Sequence, residues 1–531
     1  MKRSYLLIFL TLAGTVCLGQ AKIRKMPNNI NHPAINVSTP YISFDGNTLI
    51  FISDYGEDNA LVMNYTTKID AVNWKDPVVM PKNVNNRLNF LKGFSLSQDG
   101  KTLYITSQKS GGLGGYDLHS STVAGAAWSE LKNFGAPINS NKQEGAPSVT
   151  ADGTTMYFMR CDQMNASAAS ACKIMMVKKK TNGQWGEPVE LPPHVNTGNS
   201  QIPRIMGDGE TLIFSSDKFA GGKGGMDLFV TKWNGGEWTR PLALDFANTS
   251  ADDQYVSATS LGRYLMKDAP GQKKTEIVEL LFPPDSKPKG MMKVEGKITA
   301  ENPAAAYISV FNQKDQSRVF NGRPYANGGF TLYLKEGDIY DLSVEPEKDN
   351  FTFFSKKFDV SGEKFSISEN VNISLSSLAF GDVVELNGLS FKPFSSELTP
   401  GSTQELRRLV RMIKGNPSYK FTIDISLYGL EQDSVKSNPE LTELTSDSVK
   451  VSIPYQVIDS LAIPPISKAM MRDSVIVKNT YSNDRTANQG LEVLNFLVSQ
   501  GIAGSSLTLS HRAVSEPIVE NRKTVVKAIV R

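Results

Sequence analysis

The most informative stretch of this sequence is Asp208-Gly209-Glu210-Thr211-Leu212-Ile213-Phe214, an Asp-Gly pair followed by a run of β-branched and aromatic residues. Asp-Gly favours the positive φ angles of a tight hairpin turn, and the run after it suits a half-buried strand. Four related copies occur at residues 45–51, 99–105, 152–158 and, in weaker form, 261–266. The glycines of the five copies are 54, 53, 56 and 53 residues apart. A fixed period of this size predicts repeated supersecondary units.

Two further landmarks keep the same period. Tryptophans recur at 74, 128, 185 and 238, and three of them begin a Trp-x-x-Pro motif. A glycine-rich loop followed by Asp-Leu occurs at residues 110–118 and again at 220–228. A phosphate-binding loop would need a helix after it, whereas strands are expected here on both sides, so we interpret these segments as hairpin loops. One unit therefore has four strands, which is typical of a propeller blade.

The two ends of the array predict a closed ring. The fifth copy ends at residues 276–281 without a Trp-x-x-Pro strand, and residues 22–31 resemble residues 79–85, which end the Trp strand of the first unit. The N-terminus would thus supply the strand that the last blade lacks, and this pairing would remove an open sheet edge. We predict a five-bladed β-propeller over residues 20–282. The repeats resemble the TolB-like, WD-type propellers of bacterial envelope proteins.

Residues 1–19 have the pattern of a secretory signal peptide. Lys2 and Arg3 precede the apolar segment 6–16, which is too short to span a membrane. Small residues before Gln20 predict cleavage there, and the alternative is a lipoprotein signal in which Cys17 is lipidated. Export predicts a periplasmic protein, which we expect to associate with the outer membrane.

The composition is that of an ordinary globular protein, with 40% hydrophobic and 21% charged residues and a net charge of +3. This balance indicates neither a nucleic-acid partner nor a basic membrane patch. Cys161 and Cys172 lie on either side of a hairpin loop in the third predicted blade. In an oxidising compartment we expect a disulfide between them, and the alternative is two free thiols. Two cysteines are too few for a zinc site, and we expect no cofactor.

A Pro-rich linker at residues 282–291 precedes a second all-β segment. Apolar and polar residues alternate at residues 294–299, 329–334 and 337–344, which predicts a small antiparallel β-sandwich over residues 290–376. This segment resembles the carboxypeptidase regulatory-like, transthyretin-like module. The resemblance implies a spacer or docking domain without catalysis of its own.

From Gly381 onward the pattern becomes α+β. Apolar residues at helical spacing predict helices around residues 406–413 and 491–497, and strands are expected at residues 420–425 and 524–530. The motifs that carry a resemblance to the OmpA-like C-terminal domain are Ser395-Ser396-Glu397-Leu398-Thr399-Pro400, residues 496–502 and Asn521-Arg522-Lys523. We assign residues 380–531 to this domain, with a polar insertion at residues 430–480.

The OmpA-like resemblance implies peptidoglycan binding through an Asp after the first long strand and an Arg early in the second helix. The Asp position falls on Tyr428 or Gly429 and the Arg position on Gln489, so neither residue type is present. Arg485 lies one helical turn before Gln489 and is the candidate to replace the missing arginine. The alternative is a solvated or capping arginine. Peptidoglycan binding is therefore a secondary expectation.

The order of domains resembles a group of Bacteroidetes envelope proteins that includes PorE of the type IX secretion system, which has an additional TPR domain. The resemblance implies a non-enzymatic scaffold whose propeller binds an envelope or outer-membrane protein, in secretion, gliding or envelope maintenance. The histidines His32, His119, His194 and His511 form no metal-spaced pair, and none lies beside a Gly-x-Ser-x-Gly motif. The alternatives are a peptidoglycan-tethering protein and, more distantly, a propeller hydrolase.

Overall fold

The computed structural model describes residues 23–86, 92–108, 111–124, 127–271, 273–362, 365–428, 442–459, 463–464, 466–482, 484–514 and 524–531. The predicted signal peptide at residues 1–19 (with Cys17), Gln20, Gly429 and the motif at residues 521–523 lie outside the described residues. The chain divides into two compact units, Met1–Met292 and Lys293–Arg531. Within the described ranges, no helix is both long and apolar enough to cross a membrane.

The first unit consists of antiparallel strands in five sheets. Its strands are β1 (Ile23–Lys25), β2 (Val37–Ile42), β3 (Thr48–Ser53), β4 (Val62–Thr67), β5 (Val78–Val79), β6 (Phe94–Leu96), β7 (Thr102–Ser107), β8 (Asp117–Ala124), β9 (Ala127–Trp128), β10 (Lys132–Asn133), β11 (Gln143–Val149), β12 (Thr155–Met164), β13 (Ala169–Lys178), β14 (Val189–Glu190), β15 (Gln201–Ile205), β16 (Thr211–Ser216), β17 (Asp227–Lys232), β18 (Leu242–Ala243), β19 (Val256–Ser257), β20 (Tyr264–Pro270) and β21 (Thr275–Leu281). The strand orders are β2-β3-β4-β5 (sheet 1), β6-β7-β8-β10 with β9 also on β8 (sheet 2), β11-β12-β13-β14 (sheet 3), β15-β16-β17-β18 (sheet 4) and β19-β20-β21-β1 (sheet 5).

The five sheets form a closed ring, because each sheet packs on the next and sheet 5 packs on sheet 1. The apolar interfaces include Ile52, Met63, Phe94 and Ile105 between sheets 1 and 2, Leu118, Met156 and Phe158 between sheets 2 and 3, Tyr157, Ile174, Leu212 and Phe214 between sheets 3 and 4, Ile213, Val230, Leu265 and Val278 between sheets 4 and 5, and Met266, Ile277, Leu49 and Phe51 between sheets 5 and 1. Successive residues of a strand point to opposite faces, so Leu49 and Ile50 enter different interfaces. This explains why the second strand of each unit is apolar throughout rather than alternating.

The Asp-Gly turns form where the repeats predict them. Gly46, Gly100, Gly153 and Gly209 have φ angles between 67° and 71°, a conformation that glycine adopts without strain. The aspartate before each glycine accepts a hydrogen bond from the backbone N–H two residues further on. These turns therefore combine a left-handed glycine with an Asx-type hydrogen bond, and the carboxylates stabilise the turn locally.

The glycine-rich loops enclose a carboxylate of the chain itself. In the first loop, the N–H groups of Leu113 and Gly114 donate to the carboxylate of Asp117, at 2.8 and 3.1 Å. Asp227 accepts the equivalent hydrogen bonds in the second loop. A Cβ atom on Gly112 would lie 2.2 Å from the Asp117 carboxylate, so a side chain is sterically excluded there. The N–H groups that resemble a phosphate cradle thus bind a side chain of the following strand.

An asparagine also recurs with the same period, and it was not predicted from the sequence. It lies in the connection that leads to each sheet or closes the ring. These residues are Asn31, Asn85, Asn139, Asn196 and Asn248. Asn139, for example, accepts from the backbone N–H of Leu118 at 2.8 Å and donates to its carbonyl at 2.9 Å. The others do the same with one residue of β4, β13, β17 or β21. Each connection is therefore held to the third strand of a sheet.

The tryptophans differ slightly from the expected Trp strand. Trp74, Trp185 and Trp238 each form an isolated β-bridge, and the short fourth strand follows only after the proline of the motif. Trp128 alone of the four lies within a described strand, β9. Proline has no N–H for the strand ladder, so the ladder is interrupted at this point and begins again after it.

The N-terminal segment supplies the fourth strand of sheet 5, as the sequence predicts. β1 pairs antiparallel with β21, with Ile23 opposite Leu280 and Lys25 opposite Val278. Met26 and Ile30, which follow β1, are buried in the interface between sheets 5 and 1. The ring is thus closed by strand pairing and by apolar burial together.

The second unit begins with a sandwich of two sheets. Its strands are β22 (Met291–Thr299), β23 (Tyr307–Asn312), β24 (Arg318–Gly322), β25 (Gly329–Lys335), β26 (Ile339–Glu345), β27 (Phe354–Asp359) and β28 (Ser368–Ser374). The sheets are β25-β22-β28 and β24-β23-β26-β27. The expectation of a purely antiparallel sandwich is wrong at one place, because β22 and β28 run parallel. β28 crosses over from the other sheet, so no hairpin imposes an antiparallel direction on it.

The remaining part of the second unit is α+β. Its elements are β29 (Val383–Glu385), α1 (Ser402–Gly415), β30 (Phe421–Tyr428), β31 (Glu443–Asp459), β32 (Ile466–Ser482), α2 (Thr486–Ser499), β33 (Leu507–Val514) and β34 (Thr524–Val530). The sheet order is β29-β34-β30-β33, in which β30 and β33 are parallel and the others antiparallel. Apolar residues of α1 and α2 and the sheet share one core, in which Leu406, Phe421 and Leu497 are fully buried.

A buried group of charges joins this α+β part to the sandwich. Arg408 on α1 donates to Glu405 at 2.8 Å and to Glu345 of β26 at 3.1 Å, and its Nη1 lies 3.8 Å from Asp341. Glu405 also accepts hydrogen bonds from Ser355 of β27 and from the backbone of Gly388. Charged groups are rarely buried unless they are paired, so this network ties the two parts together.

Candidate functional site

The inner edge of the ring is formed by the first strand of each sheet, and one position of these strands points toward the axis. It lies five residues before each turn glycine and is occupied by Tyr41, Ser95, Ser148, Arg204 and Ser257. Their hydrogen bonds cross from sheet to sheet. Ser148 accepts from the N–H of Ile205, Ser257 accepts from the N–H of Ile42, each at 3.0 Å, and the Tyr41 hydroxyl donates to the carbonyl of Leu96. This layer therefore ties the inner strands together across the axis.

Arg204 occupies the centre of this layer. Its Nε donates to the carbonyl of Val256 in sheet 5 and its Nη2 to the carbonyl of Phe94 in sheet 2, both at 3.1 Å. Its Cζ lies 4.8 Å from the centre of the Tyr41 ring, a cation–π contact with sheet 1. One side chain of sheet 4 thus contacts three other sheets.

The charge of Arg204 is buried without a carboxylate beside it. Arg204 is only 7% exposed, and no described carboxylate pairs with its guanidinium. Burial lowers the pKa of Arg204, and the nearby Tyr41 and Tyr255 oppose that shift. Arginine nevertheless stays protonated in proteins, so the axis contains an uncompensated positive charge.

A small cavity of about 40 Å³ lies beside the guanidinium, at the end of the ring where the Asp-Gly turns lie. Its mouth includes Phe44, Gln98, Ala151 and Gly207, each of which directly precedes the aspartate of a turn. Four buried polar atoms in or next to this layer have no hydrogen-bond partner among the described residues: Nη1 of Arg204, Nε2 of Gln98, Oγ of Ser95 and Oγ of Ser260. Buried polar groups are normally paired, so this cluster is the best candidate binding site in the described part of the first unit.

The inner strands also carry backbone strain near this layer. Thr39, Ala146 and Ile202 have φ angles of 52°, 50° and 49°, which non-glycine residues rarely adopt, least of all β-branched ones. Each precedes a proline, and a break in strand register lies at the same place in β2, β11 and β15. Strained residues held in place by their surroundings are concentrated at functional sites, which agrees with a site on the axis.

The sequence reasoning missed Arg204. The repeat alignment contained a usable signal, because Ile202-Pro203-Arg204 is in register with Thr39-Pro40-Tyr41 and Ala146-Pro147-Ser148. The signal is the charge of Arg204 inside a short inner strand whose residues are all buried.

The peptidoglycan position of the second unit differs from expectation in detail. Arg485 is buried and lies at the N-cap of α2 rather than inside the helix. Its Nη1 donates to the backbone carbonyls of Lys392 and Ser395, at 3.1 and 2.5 Å. The guanidinium therefore holds the loop before α1, which is a structural role. Tyr428 lies half-buried at the end of β30.

Gln489 lies in the first turn of α2 and is fully buried. Neither its Oε1 nor its Nε2 has a hydrogen-bond partner among the described residues. An unpaired buried amide costs free energy, about 1–3 kcal/mol in mutational data, so this position favours a polar ligand or water. Arg485 and Gln489 are thus one helical turn apart, as the sequence predicts, and the backbone N–H of Gln489 donates to the carbonyl of Arg485.

The remaining sequence candidates are placed apart. Cys161 and Cys172 form a disulfide between directly opposite residues of β12 and β13, and both are fully buried. His119 contacts the Asp117 carbonyl, His194 the Trp238 carbonyl and His511 the Thr486 hydroxyl, so the histidines do not converge. Over the described part of the chain, no group of three metal-ligating side chains is found.

The insertion predicted at residues 430–480 contains a two-stranded ribbon of β31 and β32, each 17 residues long. It is less polar than expected, because several large apolar side chains on each strand are at least 41% exposed, including Val449, Val457, Met471, Val475 and Ile476. Two-stranded ribbons are marginally stable in water by themselves. The ribbon is therefore a second surface suited to a partner.

No family model and no curated protein matches this chain. Among solved structures, TolB from Acinetobacter baumannii is similar at 13% identity over 46% of this chain, with a TM-score of 0.31, and the match spans 54% of that protein. An endo-arabinase from Bacteroides thetaiotaomicron is similar at 15% identity over 50% of this chain and 99% of its own, with a TM-score of 0.34. An oligogalacturonate lyase from Vibrio parahaemolyticus is similar at 12% identity over 51% and 96%, with a TM-score of 0.31. TM-scores this low establish neither the fold nor the function of this chain.

Proposed function

We propose that the protein is a non-enzymatic scaffold of the periplasm, associated with the outer membrane, whose first unit is a five-bladed β-propeller that binds a protein partner. The observation that supports this proposal is the small size of the axial cavity among the described residues. Arg204, Tyr41 and Ser257 of the same layer border this cavity of about 40 Å³. Pockets that enclose a small-molecule ligand have volumes of about 300–1,000 Å³, so an extended sugar or peptide does not fit inside. A partner would bind at the end of the ring and insert at most one side chain.

The location rests on the signal-peptide pattern at residues 1–19 and on the disulfide between Cys161 and Cys172. Disulfides persist in oxidising compartments such as the bacterial periplasm. The second unit, with its resemblance to carboxypeptidase regulatory-like and OmpA-like modules, would attach the scaffold to other envelope components. Its exposed ribbon supplies a second contact surface, and by resemblance the complex would serve type IX secretion or gliding.

The test is affinity purification of the tagged full-length protein from crosslinked cells, followed by fractionation of the envelope. We expect an outer-membrane or periplasmic protein to be crosslinked to residues at the turn end of the ring. Crosslinks confined to cytoplasmic proteins would contradict the proposal. Turnover of any member of a panel of glycosides and peptides by the purified protein would contradict its non-enzymatic part.

The second candidate function is peptidoglycan tethering, which the unpaired amide of buried Gln489 in α2 favours. A carboxylate of the cell-wall peptide would need a charge-assisted partner, and Tyr428 and Gln489 carry no charge. Pull-down of the full-length mature protein with purified peptidoglycan should therefore show weak binding. If binding is tight, Gln489→Ala and Arg485→Ala identify the position that carries it, because tight binding that survives both would place the ligand elsewhere.

A further inference from the structure

The strongest unexplained feature of the first unit is the uncompensated charge on the axis. A guanidinium has five N–H donors. Arg204 uses two of them on the carbonyls of Val256 and Phe94, its buried Nη1 has no partner among the described residues, and the residue itself lines the cavity. A buried cation without an anion is costly, because its loss of hydration is not repaid by an ion pair. The site is therefore incomplete in a defined way: it lacks an acceptor, and a negatively charged acceptor fits best.

The cavity limits the size of that acceptor. A cavity needs roughly 10–15 Å³ to hold one water molecule, so about 40 Å³ admits a few water molecules or a group of carboxylate size. Nε2 of Gln98 and Oγ of Ser260, which lie at the same end, are further unpaired polar atoms. Planar carboxylates bind arginine in a fork-to-fork geometry with charge-assisted hydrogen bonds, which a neutral amide does not match.

The turn aspartates place negative charge around the mouth. Phe44, Gln98, Ala151 and Gly207 border the cavity and each is followed by a turn aspartate. Three of these aspartates, Asp45, Asp99 and Asp152, are exposed, and Asp208 is buried. A ligand that is acidic throughout would be repelled at the rim, whereas basic residues on either side of one acidic residue would be attracted.

We infer that the axial cavity is a carboxylate-recognition site, which binds one Asp or Glu side chain presented between basic residues on a loop of a protein partner. The carboxylate accepts from the free N–H groups of the Arg204 guanidinium, and the flanking lysines or arginines face the turn aspartates. This inference rests on the proposed function, since it names the chemistry by which the ring would recognise its partner.

The direct test uses the full-length mature protein and two end-blocked peptides, Lys-Gly-Asp-Gly-Lys and Lys-Gly-Asn-Gly-Lys, in calorimetric titrations. Hydrogen bonds to a charged group contribute about 1.5–3 kcal/mol, so the aspartate peptide should bind about tenfold to a hundredfold more tightly. Equal affinities for the two peptides would overturn the inference and leave a water-filled cavity. If acetate binds and the aspartate peptide does not, the site recognises free carboxylates. That result would overturn the proposal that it binds a loop of a partner protein.

Two variants locate the site. Gln98→Glu places a carboxylate at the cavity and should weaken the aspartate peptide at least tenfold, because the new side chain occupies the guanidinium. The matched control is Gln184→Glu, on an exposed loop between β13 and β14, which should leave the affinity unchanged. Arg204→Gln should also remove the preference for aspartate. If Arg204→Gln fails to fold because it loses contacts to three sheets, Gln98→Glu and its control still decide the outcome.

The same variants separate this inference from the proposed function. A partner that is crosslinked equally well to the wild type and to Gln98→Glu would support the scaffold function and overturn the carboxylate site. Preference for the aspartate peptide without any crosslinked protein partner would support the site and contradict the scaffold function.

Discussion

At neutral pH the buried carboxyl of Asp341 lies among charged groups of two different elements. It is 4% exposed on β26, near Glu405 and Arg408 of α1. Burial, followed by repulsion from Glu405, raises the pKa of Asp341 to about 7, and Arg408 and Lys357 oppose this shift only in part. Gly388 packs against the same carboxylates, and a Cβ atom there would lie 2.9 Å from Glu405. At the residue scale, this network makes the stability of the second unit sensitive to pH.

The sign of the pH effect follows from the raised pKa. An unfolded aspartate loses its proton near pH 4, whereas folded Asp341 keeps it up to about pH 7. The folded state thus binds more protons in this range, so the stability of the second unit falls as the pH rises from about 4 to about 7 and then levels off. We expect Asp341→Asn to flatten this dependence and to be more stable than the wild type at pH 8. The stability that the wild type loses in this range, and that Asp341→Asn keeps, is at most about 1.4 kcal/mol per pH unit.

The measurement is denaturant unfolding of the full-length protein at several pH values, with a probe in the second unit. An unchanged pH profile in Asp341→Asn would show that another group controls this dependence. The transition of the first unit, recorded in the same experiments, serves as the internal reference.

At the scale of the element, β1 is short and its three residues are exposed, whereas Met26 and Ile30 after it are buried. Asn31 donates to the carbonyl of Ile277 and accepts from its N–H, and Ile30 is 1% exposed between sheets 5 and 1. The segment therefore closes the ring more through its connection than through the pairing of β1 itself.

Deletion of residues 22–31 should destabilise the first unit by several kcal/mol, because an open sheet edge and an apolar interface become exposed. A finer test compares two substitutions in the folded chain. Ile30→Ala should cost about 2–5 kcal/mol through lost burial and a cavity, whereas Ile23→Ala, at a residue that is 64% exposed, should cost far less. Equal effects of the two substitutions, or an unchanged melting temperature of the deletion, would contradict closure by this segment.

The hairpin of β12 and β13 is the element that carries the disulfide. Its strands pair beyond the cysteines to Met164 and Ala169, so Cys161 and Cys172 lie within the ladder rather than at the mouth of a loop. The closed loop is short, with a sequence separation of 11 residues, and the chain-entropy model gives about 2–3 kcal/mol of stabilisation. Thiol titration of the unfolded, unreduced protein from the periplasm should find neither cysteine reactive. Two reactive thiols would refute the disulfide.

At the scale of the molecule, the sandwich and the α+β part belong to one compact unit, although the sequence suggested two successive domains. Their linkage includes Arg408, which is bonded to Glu405 within α1 and to Glu345 in the sandwich. Arg411 adds a second ion pair to Glu345. We therefore expect the two parts to lose their structure together.

Arg408→Ala should lower the free energy of unfolding of the second unit by about 3–5 kcal/mol, because buried carboxylates lose their counter-charge. The matched control is Arg407→Ala, an exposed neighbour on α1, which should change it by less than about 0.5 kcal/mol. Hydrogen exchange should show β26 and α1 losing protection together in the wild type. Separate loss of protection would mean that the sandwich and the α+β part are independent domains.

The sequence by itself determined the features that depend on short, repeated residue patterns. The Asp-Gly turns, the period of the five sheets, the two helices and the strand Thr524–Val530 follow from φ preferences and apolar spacing over a few residues. Arg204 is different, because its partners Val256 and Phe94 are 52 and 110 residues away and meet it only when the ring closes. The network around Arg408 likewise depends on how α1 packs on β26, 63 residues earlier in the chain. Buried polar contacts of this kind are decided by tertiary packing, since no local pattern specifies which distant carbonyl or carboxylate will face a given side chain.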